Sequence, residues 1–167
     1  MQCANRILIF LLSIFLWLMS VCNLYTQEQQ ISFPKYDPRQ NAEQQLKIAV
    51  QKAQQENKRI LVDVGGEWCI WCHRLDSLFV NTPELLKILN EHYVLVKINV
   101  SKENNNEEVL SRFPKVDGYP HFFVLDKDGT LLHSQNTGEL ELPENSPKKG
   151  HDVSKVISFL NQWSNKK

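Results

Sequence analysis

Glu67-Trp68-Cys69-Ile70-Trp71-Cys72-His73 is the stretch whose reading decides the fold. Its two cysteines stand three positions apart, just after the apolar run Ile60-Leu61-Val62-Asp63-Val64. The residues that follow, Arg74 through Leu78, read as helix. A cysteine pair placed between a strand and a helix start has a physical use. The first thiol is exposed at the helix N-terminus, where unpaired N–H groups and the macrodipole favour its thiolate. The second lies about one turn further in, near enough to close a disulfide. That is the local arrangement for thiol–disulfide exchange.

Working outward, the composition sets bounds. A chain of 167 residues with 42% apolar residues is expected to hold one domain with a real core. Formal net charge is zero and no basic stripe is visible, so nucleic acid is not an expected partner. Of the four cysteines, Cys3 and Cys22 flank an N-terminal apolar segment, and only Cys69 and Cys72 fall in the folded part. A bridge between those two closes too small a loop to hold a fold together by chain entropy. The pair therefore reads as functional.

Arg6 followed by the apolar run Ile7 to Val21 has the form of a secretory signal, too short for a spanning helix of roughly 20 residues. Residues 1–22 are expected to be a signal peptide or a membrane anchor. Cleavage after Cys22, lipidation of Cys22 and retention as an anchor all stay open, and bulky Val21 disfavours lipidation. The polar stretch 23–36, with Gln27-Glu28-Gln29-Gln30, reads as a linker, which leaves 37–167 as the domain. The expected setting is the periplasm or cell envelope.

Within 37–167 the elements alternate. Asp37-Pro38-Arg39-Gln40 reads as a capped helix start, and Ala42, Leu46, Ala49, Val50 and Ala53 recur at helical spacing. Ile60 to Val64 is a buried strand, broken by Gly65-Gly66. Thr82 or Asn81 caps a helix over Glu84 to Asn90, and Tyr93 to Val100 is the next strand. A short helix surrounds Val109, Leu110 and Phe113. His121 to Leu125 and Thr130 to Ser134 form a hairpin about Asp128-Gly129. Gln135 to Gly150 is a long loop, and Asp152 or Ser154 starts a last helix. The first strands, joined through helices, are expected to be parallel, giving an α/β fold: a mixed sheet with helices on both faces.

At this point the chain resembles the thioredoxin superfamily, over about Asp37 to Trp163. Leu61-Val62-Asp63 resembles the strand that carries the family's buried acid. Trp68-Cys69-Ile70-Trp71-Cys72 resembles its redox motif. Lys97-Ile98-Asn99 resembles the strand whose lysine lies near that acid, and Gly118-Tyr119-Pro120 the turn whose cis-proline faces the sulfurs. The run Trp-Cys-x-x-Cys-His-x-Leu looks most like exported single-domain thioredoxin-like proteins. The resemblance implies a thioredoxin-like fold and a protein-disulfide oxidoreductase whose only redox group is the Cys69–Cys72 pair, with no added cofactor. It implies protein thiols or disulfides as substrates, an envelope or membrane redox partner, and a monomer. Two departures leave the direction of electron flow open. Ile70-Trp71 stands where cytosolic thioredoxins carry Gly-Pro, a dipeptide that tunes potentials over roughly −270 to −120 mV. Tyr119 precedes the proline, as in some disulfide isomerases.

Residue roles follow as expectations. Cys69 is the attacking thiolate and Cys72 the resolving thiol. Asp63, inside an apolar strand, is a candidate proton acceptor for Cys72, biased by Lys97. Trp68 and Trp71 are expected to offer an apolar docking surface, with Trp71 the more exposed. Tyr119 and Pro120 are expected to pair with an extended substrate strand. One alternative is a metal- or haem-handling protein using Cys69, Cys72 and His73, since C-x-x-C-H is also a haem-attachment pattern. A four-thiolate zinc site is excluded within one chain by the missing second pair. A chaperone-like binding module is the other alternative.

Overall fold

Asn41 starts the first helix: its side chain accepts from the Gln44 N–H at 3.0 Å. The helix, α1, covers Ala42–Glu56 and ends on Asn57 in the left-handed conformation, which asparagine tolerates. The cap expected at Asp37 is not made. Its carboxylate is taken up by the Arg39 N–H at 2.9 Å and the Arg39 guanidinium, so Asp37 to Gln40 forms a turn. The computed structural model describes residues 33–165, so the expected signal or anchor segment, Cys3, Cys22 and most of the expected linker lie outside the described residues.

Strands β1 (Arg59–Gly65) and β2 (Tyr93–Asn99) pair in parallel, and the sheet order is β2-β1-β3-β4, with β3 at His121–Leu125 and β4 at Leu131–Asn136. Between β1 and β2 lie α2 (Ile70–Asn81) and α3 (Pro83–His92), with Pro83 at the first helical turn. α4 (Glu107–Leu110) is 4 residues long. Such a helix rises about 6 Å, too little to carry the chain back along a strand. The third strand therefore runs antiparallel to β1, although it also follows a helix. Gly129, at φ +91°, closes the β3–β4 hairpin.

The loop expected over Gln135 to Gly150 is more ordered than its composition implies. β4 runs to Asn136, a 3-10 turn covers Thr137–Leu140, and Glu141 bridges His151. The Leu142 N–H donates to the Gly150 carbonyl at 2.9 Å, folding 142–150 into a flap. Asp152 then caps α5 (Val153–Gln162), accepting from Ser154 N at 2.8 Å.

The two-residue period of the strands sorts the core. Ile60, Val62, Val64, Val96, Ile98, Phe123 and Leu125 pack with Ala49 and Ala53 of α1. Leu61, Phe122 and Val124 pack on the other face with Leu75, Phe79, Leu85, Val156 and Leu160. By the same alternation Asp63 and Lys97 face α2, and they are direct partners in the β1–β2 register.

The domain also begins before the Asp37 boundary. Phe33 packs its ring 5.9 Å from that of Phe79, and Tyr36 is buried beside the two cysteines. Phe33 and Tyr36 are aromatic residues at the end of the stretch read as linker, and the domain takes them in.

Candidate active site

Cys69 is the N-cap of α2, and its sulfur accepts from the Cys72 N–H at 3.1 Å. The helix thus starts at Ile70, with Cys69 at its N-terminus as the sequence reading expects. The two cysteines form a disulfide with Cα atoms 5.2 Å apart, and both are buried, so Cys69 lacks the exposure expected of the first thiol: the closed pair packs against Tyr36, Trp71 and Tyr119. Sulfur takes the place that serine or aspartate usually fills at a helix start, where unpaired N–H groups favour negative charge.

The two glycines before the motif have a use beyond breaking the strand. A Cβ on Gly65 would stand 2.6 Å from the Cys72 sulfur and 2.9 Å from the Tyr36 ring. A Cβ on Gly66 would meet the Trp68 indole nitrogen at 2.5 Å. Gly65 belongs to β1, so the backbone approaches the redox pair at its closest where no side chain exists.

Asp63 and Lys97 are both fully buried, with Lys97 Nζ 3.1 Å from Asp63 Oδ2. Neither Asp63 oxygen makes an aligned hydrogen bond, so the contact is an ion pair by distance. The same ammonium donates to Asp76, one turn beyond Cys72 on α2. Burial pushes the Asp76 carboxyl upward, opposed by Lys97. The Tyr36 ring lies 4.0 Å from the ammonium and the Phe33 ring 5.5 Å, so aromatic faces cover the cation. The Tyr36 phenol is pushed well above its ordinary value, first by burial and then by the Asp63 charge. Tyr36 also packs against Cys69 and Cys72, so it connects the ion cluster to the sulfurs.

The tryptophans differ from expectation. Trp68 is 61% exposed, its indole N–H donates to the Val100 carbonyl at 2.7 Å, and its ring meets Tyr119 edge-on at 5.7 Å. Trp71 is the more covered of the two: its ring has the Arg74 guanidinium 4.7 Å away and His151 edge-on at 5.9 Å. The Tyr119–Pro120 bond is cis, and the Pro120 carbonyl accepts from the Thr137 hydroxyl. His73 turns to the Glu67 carbonyl at 2.7 Å, and His121 is a strand residue held by Ser134 at 2.9 Å.

Tyr36, Asp76 and His151 were not singled out from sequence. Asp76 had a faint signal, since a residue four after Cys72 on a helix shares its face. Tyr36 and His151 arrive from distant segments and had none. Both ring nitrogens of His151 are buried without a partner.

Fold and site define a thioredoxin-like oxidoreductase built on a Cys-x-x-Cys disulfide. The family model described as thioredoxin-like matches residues 41–127, and the chain belongs to that family. It is 29% identical over 99 residues to the thiol:disulfide interchange protein DsbD of Pseudomonas fluorescens, covering 58% of this chain and 17% of that one. It is 25% identical over 93 residues to the disulfide bond reductase DsbH of Chlamydia pneumoniae, covering 50% of this chain and 55% of that one. The chain therefore spans well under two thirds of either relative. A crystal structure described as a disulphide isomerase from Xylella fastidiosa superposes with a TM-score of 0.64 at 26% identity, covering 79% of this chain and 97% of that one. Among the described residues, no helix is long and apolar enough to cross a membrane.

Proposed function

We propose that this chain exchanges disulfides with protein substrates in the cell envelope through Cys69 and Cys72. In the reduced enzyme the Cys69 thiolate attacks one sulfur of a substrate disulfide. The substrate S–S bond breaks, its leaving thiolate takes up a proton, and a mixed disulfide joins Cys69 to the substrate. Cys72 then gives its proton to the Asp63 side and attacks the Cys69 sulfur. The Cys69–Cys72 bond re-forms, the second substrate thiol leaves, and two electrons have passed to the substrate. Run in reverse, the same steps oxidise a substrate dithiol.

The observation that carries this reading is the closed Cys69–Cys72 pair at the start of α2, beside the buried Asp63–Lys97–Asp76 cluster. Protein substrates are favoured by the exposed apolar pair beside the sulfurs, Trp68 at 61% and Ile70 at 58%. The Tyr119 backbone before Pro120 is the place for an extended substrate strand. An envelope partner resets the pair after each turnover. The relatives' names include both a reductase and an isomerase, so direction rests on potential.

The Cys72→Ser variant tests the mechanism. It leaves Cys69 free and unresolved, so dithiothreitol-sensitive adducts with envelope proteins are expected on non-reducing gels, and absent with Cys69→Ser. If Cys72→Ser forms no such adducts, the exchange reading fails. A measured potential near −270 mV would mark a reductant and one near −120 mV an oxidant.

A further inference from the structure

Beside the redox motif runs a groove of about 360 Å³ between α2 and the flap that folds back over 142–150. Arg74, Leu142, Lys148, Lys149 and His151 line it. It is joined to the motif by two contacts on one ring: Arg74 lies over Trp71 and His151 meets its edge. A chain lying in the groove would reach Trp71, and through it the disulfide.

The groove is cationic, and among the described residues its cations, Arg74, Lys148 and Lys149, have no carboxylate within salt-bridge distance. Lys149 donates to the Glu144 main-chain carbonyl at 2.8 Å, a neutral partner. Glu141 is a carboxylate in reach of the Arg74 and Lys149 charges, and burial pushes it upward. His151 forms the wall nearest the motif and is pushed down by burial, so it adds no charge. The whole chain balances Lys and Arg against Asp and Glu at 19 each. The positive groove is therefore a local concentration and not a sign of general basicity.

We propose that this groove docks an acidic segment of the substrate polypeptide flanking the disulfide that Cys69 attacks. The proposal rests on the exchange reading above and adds to it a preference for substrate charge. The three cations are the attraction, Leu142 supplies apolar contact, and Trp71, touched by Arg74 and His151 and packed against the cysteines, links the docked segment to the redox pair. Charge complementarity of this kind acts mainly on encounter and on partner choice.

The test uses one disulfide-closed peptide in three forms, with acidic, neutral or basic flanks, and the Lys148→Glu/Lys149→Glu double variant, whose sites are exposed. At low ionic strength the unaltered protein is expected to reduce the acidic form with a kcat/KM about tenfold above the basic form, carried by KM. The double variant is expected to reverse that order. In 1 M salt, where charges are screened beyond about 3 Å, the preference is expected to collapse. Equal rates on acidic and basic forms, or a preference untouched by the double variant, would overturn the proposal. Peptides with alanine in place of cystine, titrated by fluorescence anisotropy, read the groove without exchange. If they bind with no charge preference, or if only anionic vesicles bind, the groove has another occupant and the proposal fails. If no disulfide is reduced yet acidic peptides bind selectively, the exchange reading fails and the groove stands.

Discussion

The Lys97 ammonium stands 3.1 Å from the Asp63 carboxylate, and both side chains are buried to the last fraction of their surface. Strand register places them: they are cross-strand partners on β1 and β2, facing α2. Removing one partner of such a pair leaves an uncompensated buried charge. Lys97→Met is expected to lower unfolding free energy by about 3–5 kcal/mol in urea titrations near neutral pH. The Asp63→Asn/Lys97→Met double variant is expected to recover most of that loss. If Lys97→Met alone unfolds at the unaltered midpoint, the ion pair carries no such weight.

His151 gives the chain an acid weakness with a definite window. Burial pushes it down to about 4 from its ordinary 6.5, and the Asp63 charge opposes the shift. Between these values the unfolded chain binds a proton that the folded chain refuses. Stability from this group is thus present above pH 6.5 and is lost as pH falls toward 4. The full effect is up to about 3 kcal/mol. His151→Phe keeps an aromatic edge against Trp71 and is expected to flatten this part of the stability–pH curve. Urea midpoints through that range, with and without the substitution, read the difference directly.

Gly65 and Gly118 make a matched pair of positions. A Cβ on Gly65 meets the Cys72 sulfur and the Tyr36 ring, whereas a Cβ on Gly118 meets nothing within 4 Å. Gly65→Ala is expected to cost about 1–3 kcal/mol through crowding of the core. Gly118→Ala is expected to stay within about 0.5 kcal/mol of the unaltered protein. Thermal denaturation of the oxidised forms distinguishes them. Equal midpoints would mean that β1 yields more easily than its packing implies.

What the chain disclosed before folding follows the range of each signal. The Cys69–Cys72 motif, the Asp128-Gly129 turn and the strand residues Asp63 and Lys97 are local patterns, and each lies where its pattern puts it. Helix capping was less legible, because Asp37 and Asn41 are both competent caps four residues apart. The Arg39 side chain decided between them by occupying Asp37. Position in the turn ranks Trp71 as the more exposed tryptophan, but exposure also depends on Val100 and His151, which come from distant segments, and on Arg74 one turn along α2. The antiparallel β3 turned on the length of α4, which periodicity over so few residues does not reveal.

Tyr36 gives the amino-terminal boundary a practical edge. Its N–H donates to Glu67 Oε1 at 3.2 Å, its ring roofs the Lys97 ammonium, and Phe33 stands three residues before it on the same cation. Trimming the chain at Asp37 to isolate a minimal domain would strip that roof and admit water to the Asp63–Lys97–Asp76 cluster. Such a fragment would keep every cysteine of the motif and still be a different redox protein.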